Sequence, residues 1–291
     1  MTKRIDHLVI VDRQLAGLAE FYRSLGFQVG GRNRHDWGTE NHIVQFDGTF
    51  LELLTTGDGF QRPAADQATA PFALPIDDFI KRYGSGLAML VLSSDDAETD
   101  LAKYQAAQIA SSDGVFYFAR DGQGADGQPT RVAFSLSFAK HDAVSHAGFF
   151  VCQQHYPENF WFADRQHHEN AVTGVSQVTL KADDVDGARR FLQDFSGGAG
   201  VAREGWIAPA VETAVGRIQI ATAEDCARHY AAYAPDVGDG AFVATHFTSA
   251  DIEATERVLQ ANDVTYAVAD GRMIVSAADA HGQVLVFEAA A

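Results

Sequence analysis

A single order of segments recurs four times along this chain of 291 residues: an alternating apolar strand, a short acidic turn, an amphipathic helix, then more strands. Internal repetition constrains the fold strongly, because each copy is a unit that cannot bury its own apolar face alone. The copies open with IDHLVIVDRQLAGLAEFYRSLGF, LAMLVLSSDDAETDLAKYQAAQI, VSQVTLKADDVDGARRFLQDF and FVATHFTSADIEATERVLQANDV. Leu15, Leu18, Tyr22 and Leu25 recur at helical spacing in the first copy. Ala188, Phe191, Leu192 and Phe195 do so in the third, and Ile252, Val258 and Leu259 in the fourth. Asp or Ser precedes several of these helices, as expected of N-caps.

Strand signals follow each helix. HIVQF and FLELL are joined by Asp47-Gly48, a two-residue hairpin turn. GVFYFAR, RVAFSLSF and FFVCQQH follow the second helix, and VTYAVAD, RMIVSAA and QVLVFEA the fourth. The third copy is less clean, with GRIQIAT as its clear late strand. The unit therefore reads β-α-β-β-β. Residues 56–84, with Pro63, Pro71 and Pro75, interrupt the rhythm and read as an inserted connection covering one face. Residues 157–173 read as a linker, which divides the chain into candidate domains 1–156 and 174–291. One βαβββ unit leaves sheet edges unpaired; two side by side satisfy those edges and enclose a cup. The expectation is an α+β protein of four modules forming two cups.

Composition narrows the partners. Lys and Arg number 22 against 39 Asp and Glu, a formal net charge of −17. Such a field repels phosphate backbones, so neither nucleic acid nor an anionic membrane is expected as a partner. No stretch approaches the roughly 18 apolar residues of a membrane span. The two cysteines, Cys152 and Cys226, form no CxxC pair, which argues against a zinc-thiolate site and suits a reducing compartment. With no leader-like apolar run at the N-terminus, a cytoplasmic location is expected.

With a His on the first strand and a Glu on a last strand, the paired modules resemble the vicinal oxygen chelate superfamily. DHLVI, LGF, RHDWGTENHIVQF and FLELL are similar to the N-terminal part of glyoxalase-like domain proteins, and FFVCQQHYPENFW and QHHENAVTGV to bacterial members. The resemblance implies tandem glyoxalase/bleomycin-resistance/dioxygenase-type domains and a divalent metal (Fe, Mn, Ni or Zn) chelating two adjacent substrate oxygens. It implies His7 and Glu52 as ligands, with Glu52 doubling as the catalytic base. The other modules depart from the pattern. Met89 stands where a second first-strand ligand would be, and Cys152 where a last-strand Glu would be. Gln177 replaces the third module's His, and His246 and Glu288 lie about two residues beyond their expected positions.

Adding His155 would give two His and one carboxylate, a set suited to these metals with open positions. A buried His–Glu hydrogen bond without metal explains the first-half pair equally well. Arg34, His35, Trp37 and Asn41 in RHDWGTEN are candidates to line the cup and grip a carbonyl or carboxylate. Gln154 shares the face of Cys152 and is a further candidate. Cys152 itself reads as a small buried hydrophobe, since His155 lies on the opposite strand face. His141, His146, His167 and His168 read as surface histidines. Asp121–Thr130, although glycine-rich, lacks the ending of a phosphate loop and reads as a long hairpin turn.

The working site is expected in the first half, with the second half as scaffold. The leading function is an enzyme of the vicinal oxygen chelate type acting on a small oxygen-rich metabolite: a lyase, isomerase or dioxygenase. The alternative is a protein that sequesters a small molecule in the same cup. Extradiol cleavage by the second half is opposed by Gln177. A homodimer is left open.

Overall fold

The computed structural model describes residues 2–123 and 129–290. The first module comprises β1 (Ile5–Asp12), α1 (Leu15–Ser24), β2 (Asn33–Arg34), β3 (Thr39–Phe46) and β4 (Thr49–Thr56). After α2 (Ala70–Tyr83), the second brings β5 (Ser85–Ser93), α3 (Ala97–Ala106), β6 (Phe116–Gln123), β7 (Pro129–Ala139) and β8 (Gly148–Gln154). The third holds β9 (Val172–Lys181), α4 (Val185–Ser196), β10 (Gly200–Val201), β11 (Ala210–Glu212) and β12 (Arg217–Ala221). Following α5 (Ala223–His229), the fourth holds β13 (Ala241–Ser249), α6 (Ile252–Ala261), β14 (Ala267–Ala269), β15 (Arg272–Val275) and β16 (Val284–Ala289).

The strands form two eight-stranded sheets, ordered β2-β3-β4-β1-β5-β8-β7-β6 and β10-β11-β12-β9-β13-β16-β15-β14. The orders correspond strand for strand. In each sheet two modules meet through their first strands, paired antiparallel: β1 with β5 and β9 with β13. The meeting of modules gives each half the edges that one module lacks, as the repeat requires.

The first sheet curls until its two ends face each other. Trp37, just beyond β2, packs edge-on against Phe118 of β6 at 5.1 Å between ring centroids. That contact depends on the tight turn after β2, where Gly38 has φ of +93°. A Cβ there would stand 2.7 Å from Phe60 Cα, so glycine is required by both conformation and space.

Alternation along the strands sorts side chains to two faces. Leu8 and Ile10 join an apolar core on the outer face, and Val9 and Val11 a separate cluster on the inner face. The outer core runs through both halves, taking in Leu18 and Tyr22 of α1 as well as Phe191 and Phe195 of α4. The inserted connection differs from a plain loop: α2 buries Phe72, Ile76, Phe79 and Ile80 on the inner cluster. Pro71 lies in its first turn, where no intrahelical N–H is needed, and Pro75 is accommodated one turn on.

The hairpin expected at Asp121–Thr130 has its flanks in place, with Gln123 paired to Pro129; residues 124–128 lie outside the described residues. Both cysteines are buried free thiols. Among the described residues no helix is long and apolar enough to cross a membrane.

Candidate functional site

The cup of the first half holds a cavity of about 550 Å³. His7, on β1, and Glu52, on β4, both line it and are 4% and 5% exposed. In the parallel β1–β4 ladder His7 stands opposite Phe50, and Glu52 opposite Val9. The two are therefore same-face diagonal neighbours, with Cα atoms about 7–8 Å apart by sheet geometry. His7 stacks on Phe50 at 4.2 Å between ring centroids.

Each group is held on one side by a buried partner. The β1–β5 ladder shifts register between Ile5 and His7, an irregularity at Asp6. Asp6, 3% exposed, thus comes to the side of its neighbour and accepts a hydrogen bond from His7 Nδ1 at 2.7 Å. Gln154 Nε2 donates to the other Asp6 oxygen at 3.2 Å. A carboxylate on Nδ1 fixes the proton there and leaves Nε2 as the acceptor facing the cavity. Across the site, Asn41 Nδ2 donates to Glu52 Oε1 at 2.5 Å. His35 Nε2 stands 4.0 Å from the same oxygen.

The RHDWGTEN segment does line the cavity, through Arg34, His35, Trp37 and Asn41. His35 stacks on Trp37 with ring planes 9° apart and exchanges a hydrogen bond with Thr39 Oγ1 through Nδ1. Burial lowers the His35 pKa from 6.5, against the opposing pull of Glu52 and with the help of the Arg120 charge. His35 is therefore a neutral ring at neutral pH.

His155 does not join His7 and Glu52. It follows β8 on the opposite face, exposed, where its Nε2 exchanges a hydrogen bond with Ser135 Oγ at 2.8 Å. Strand parity explains this: Phe150 and Cys152 point into the cavity, and a residue three positions beyond Cys152 points away. Burial and the nearby Asp6 and Glu52 charges raise the Cys152 thiol well above its ordinary value, so it is a poor thiolate donor. Among the described residues no three His, Cys, Asp or Glu side chains are grouped to hold a metal ion. His7 and Glu52, even with His35 in the same wall, are not grouped as the three protein ligands of catalytic centres such as those of zinc enzymes. The donor set does not fit the two-His, one-carboxylate centre expected above.

Several contributors were not singled out from the sequence. Asp6 is one, hidden because a bulge has no sequence signature of its own. Arg120 on β6 and Arg165 in the connection between sheets are others. Gln45 clamps that connection, donating to Phe160 O at 2.6 Å and accepting from Phe162 N at 3.1 Å. His168, read as a surface residue, is instead a clasp. It accepts from Gln28 N at 3.0 Å and meets Gln45 O at 2.9 Å.

The second cup is filled. Tyr230 and Cys226 pack into its inner cluster, leaving a space of about 70 Å³. His246 Nε2 bonds Tyr230 OH at 2.9 Å, and His246 Nδ1 lies 3.7 Å from Glu288 Oε2. Burial lowers the His246 pKa; at Glu288 burial opposes, but the neighbouring His246 ring and the Ser176 hydrogen bond outweigh it and hold the carboxyl down at about 2. Gln177, at the position of the missing first-strand His, accepts from Arg203 at 2.5 Å. These groups satisfy one another.

The family model for the glyoxalase-like domain matches residues 5–195. No curated protein sequence matches the chain. A hypothetical protein from Staphylococcus aureus superposes with a TM-score of 0.68 at 13% identity, over 99% of this chain and 100% of that one. A mutant of 4-hydroxymandelate synthase from Streptomyces coelicolor gives 0.61 at 12% identity, over 99% of this chain and 92% of that one. A xylose isomerase-like TIM barrel/4-hydroxyphenylpyruvate dioxygenase fusion protein gives 0.54 at 14%, over 91% of this chain and 40% of that one. At such identities the likeness is one of fold. Paired βαβββ modules in both halves, together with a family match spanning 191 residues from 5 to 195, place the chain: it belongs to the glyoxalase-like domain family, within the vicinal oxygen chelate superfamily.

Proposed function

We propose that the first-half cavity is the active site of an enzyme that moves a proton on a small oxygen-bearing molecule, with His7 and Glu52 as the acid–base pair. One observation carries the reading: two buried proton-transfer groups share a cavity, and each is oriented by a separate partner. A pocket that only bound an apolar molecule would gain nothing from burying a carboxylate and an imidazole, whose desolvation is costly.

The chemistry follows from the free atoms. Asn41 takes Glu52 Oε1, which leaves Oε2 to accept a proton from a C–H or O–H held against it. Asp6 fixes His7 by Nδ1, so Nε2 receives or returns a proton at the substrate, and the carboxylate behind stabilises the ring when charged. Proton removal beside a carbonyl leaves charge on oxygen. The neutral His35 ring and the Asn41 amide lie in the same wall as candidates to hold that oxygen. The aromatic lining and α2 surround the floor of the cavity with apolar surface, and a low local dielectric strengthens each of these interactions.

The test is hydrogen–deuterium exchange at carbon, followed by NMR, across a panel of small 2-oxo and 2-hydroxy carbonyl compounds. The wild-type protein exchanges at least one of them. Glu52→Gln slows exchange by about 100-fold or more, within the usual range for a general base. Asp6→Asn, which acts through His7, slows it by roughly 10- to 100-fold and shifts its pH profile. Exchange that survives both Glu52→Gln and His7→Ala would remove the assignment.

A further inference from the structure

Four arginines line the first-half cavity of a strongly acidic chain, and they come from separate parts of it. Arg32 and Arg34 lie at and just before β2, Arg120 on β6, and Arg165 in the connection between the sheets. Two carboxylates, Asp36 and Glu52, share the lining. Glu40 pairs with Arg32 and stands 4.0 Å from Arg34. Among the described residues, no carboxylate lies within ion-pair distance of Arg120 or Arg165. Arg165 instead lies 4.4 Å over the ring of Phe162. The chain as a whole carries a formal charge of −17, so chance would not favour a cationic lining here.

The cavity is also graded from outside to inside. Arg32 and Arg34 have side chains 62% and 60% exposed, and Arg120 and Arg165 are likewise exposed. His7, Asn41 and Glu52 are 5% exposed or less. The wall between is aromatic, with Phe50, Phe72, Phe134 and Phe150 nearly covered and Trp37 and Phe118 half-buried. Charge at the mouth, an apolar middle and proton-transfer groups at the floor make a site with two unlike ends.

Resting on the acid–base reading of its floor, we infer that this cavity takes an organic anion with an apolar, ring-bearing body. The anionic group stays at the arginine-lined mouth, the body lies against the aromatic wall, and the oxygen-bearing end reaches Glu52 and His7. A volume of about 550 Å³ accommodates a molecule larger than a simple two- or three-carbon acid. The guanidinium fork suits a carboxylate or phosphate. With four arginines against two carboxylates in its lining, the cleft is net cationic and concentrates a ligand that the rest of the surface repels.

Isothermal titration of the full chain with 2-naphthoate and with the neutral 2-naphthamide tests the class. The acid should bind at least tenfold more tightly at low ionic strength, and the gap should narrow with added sodium chloride. The double variant Arg120→Gln/Arg165→Gln should bring the two within threefold of each other. Its melting temperature, measured alongside, should match the wild type, because both side chains are exposed; the single variant Arg34→Gln gives the same comparison if it does not. Glu52→Gln should retain naphthoate binding while losing carbon–hydrogen exchange. Equal affinities for acid and amide, tighter binding of the amide, or no binding of either would overturn the anionic class and leave the exchange assay to judge the floor. A preference for the acid that survives every arginine change would overturn the placement of the charge.

Discussion

At the scale of single residues, the site turns on which atoms already have partners. That His7 and Glu52 share the cavity lining was legible because an ionisable group on an apolar strand face is conspicuous. The polar and aromatic RHDWGTEN run was legible for the same reason. Asp6 was not, because strict alternation would send it away from its neighbour, and only a local shift of register brings them together. His155 failed through the same parity in reverse. His168 was misjudged because its partners, Gln28 and Gln45, are remote in sequence. Its geometry has a measurable consequence. Nδ1 accepts a hydrogen bond from a backbone N–H, so a proton there would break the clasp. Burial, chiefly, holds the pKa down to about 4 from an ordinary 6.5. The unfolded chain takes up this proton near pH 6.5, whereas the folded one does so only near 4. Stability from this group is thus complete above about pH 6.5 and lost as pH falls toward 4. The urea midpoint of the wild type should drop between pH 7.5 and 5.5. His168→Gln, with no proton to gain, should show a smaller drop; an equal one would mean that His168 does not contribute.

At the scale of elements, all four βαβββ modules were legible, since strand alternation and helical periodicity differ sharply. The third module is the informative weak case. Its late strands β10 and β11 are two and three residues long, too short to show alternation. The helix α2 was hidden for another reason. Its apolar residues Phe72, Ile76, Phe79 and Ile80 have helical spacing, but Pro71 and Pro75 read as breakers. What decides is the tertiary setting: the helix lays that stripe on Val9, Val11 and Val91 inside the cup. Ion pairs from Arg62 to Asp77 and Asp78 tie the preceding segment to the same helix. If α2 is part of the core and not a loose cover, cutting Ile76 to alanine should be costly. Ile76 is completely buried. Ile76→Ala should destabilise by about 2–5 kcal/mol, as for other buried aliphatic truncations. A loss under about 0.5 kcal/mol, the range of surface substitutions, would show that the helix lies on the cup without supporting it.

At the scale of the whole molecule, the two halves form one hollow cup and one filled cup on one shared core. The first encloses a cavity of about 550 Å³ lined by polar and aromatic side chains; the second is filled by its own Tyr230, His246 and Glu288. Sequence indicated this asymmetry through Gln177 and the displaced His246 and Glu288, but it gave no sign of how tightly the halves are joined. Phe149 of the first half packs against Phe191 and Phe242 of the second. Tyr104 OH donates to Phe195 O at 3.0 Å, and Gln283 Nε2 to Tyr22 OH at 3.2 Å, both across the divide and both buried. Separating the halves would expose the outer apolar faces of both sheets together and leave these polar groups unpaired. Two sheets that share a core in this way should unfold together, although the chain has the length of two ordinary domains. The three tryptophans allow a direct measurement. Trp37 and Trp161 report on the first half, and Trp206 on the second. Variants retaining Trp37 alone or Trp206 alone, the others replaced by Phe, should give urea transitions with coincident midpoints once each is corrected for its own stability by circular dichroism. Two separated fluorescence midpoints within one variant set, each tracking its own part of a biphasic dichroism curve, would show instead that the halves are independent and that the continuous core contributes little to holding them together.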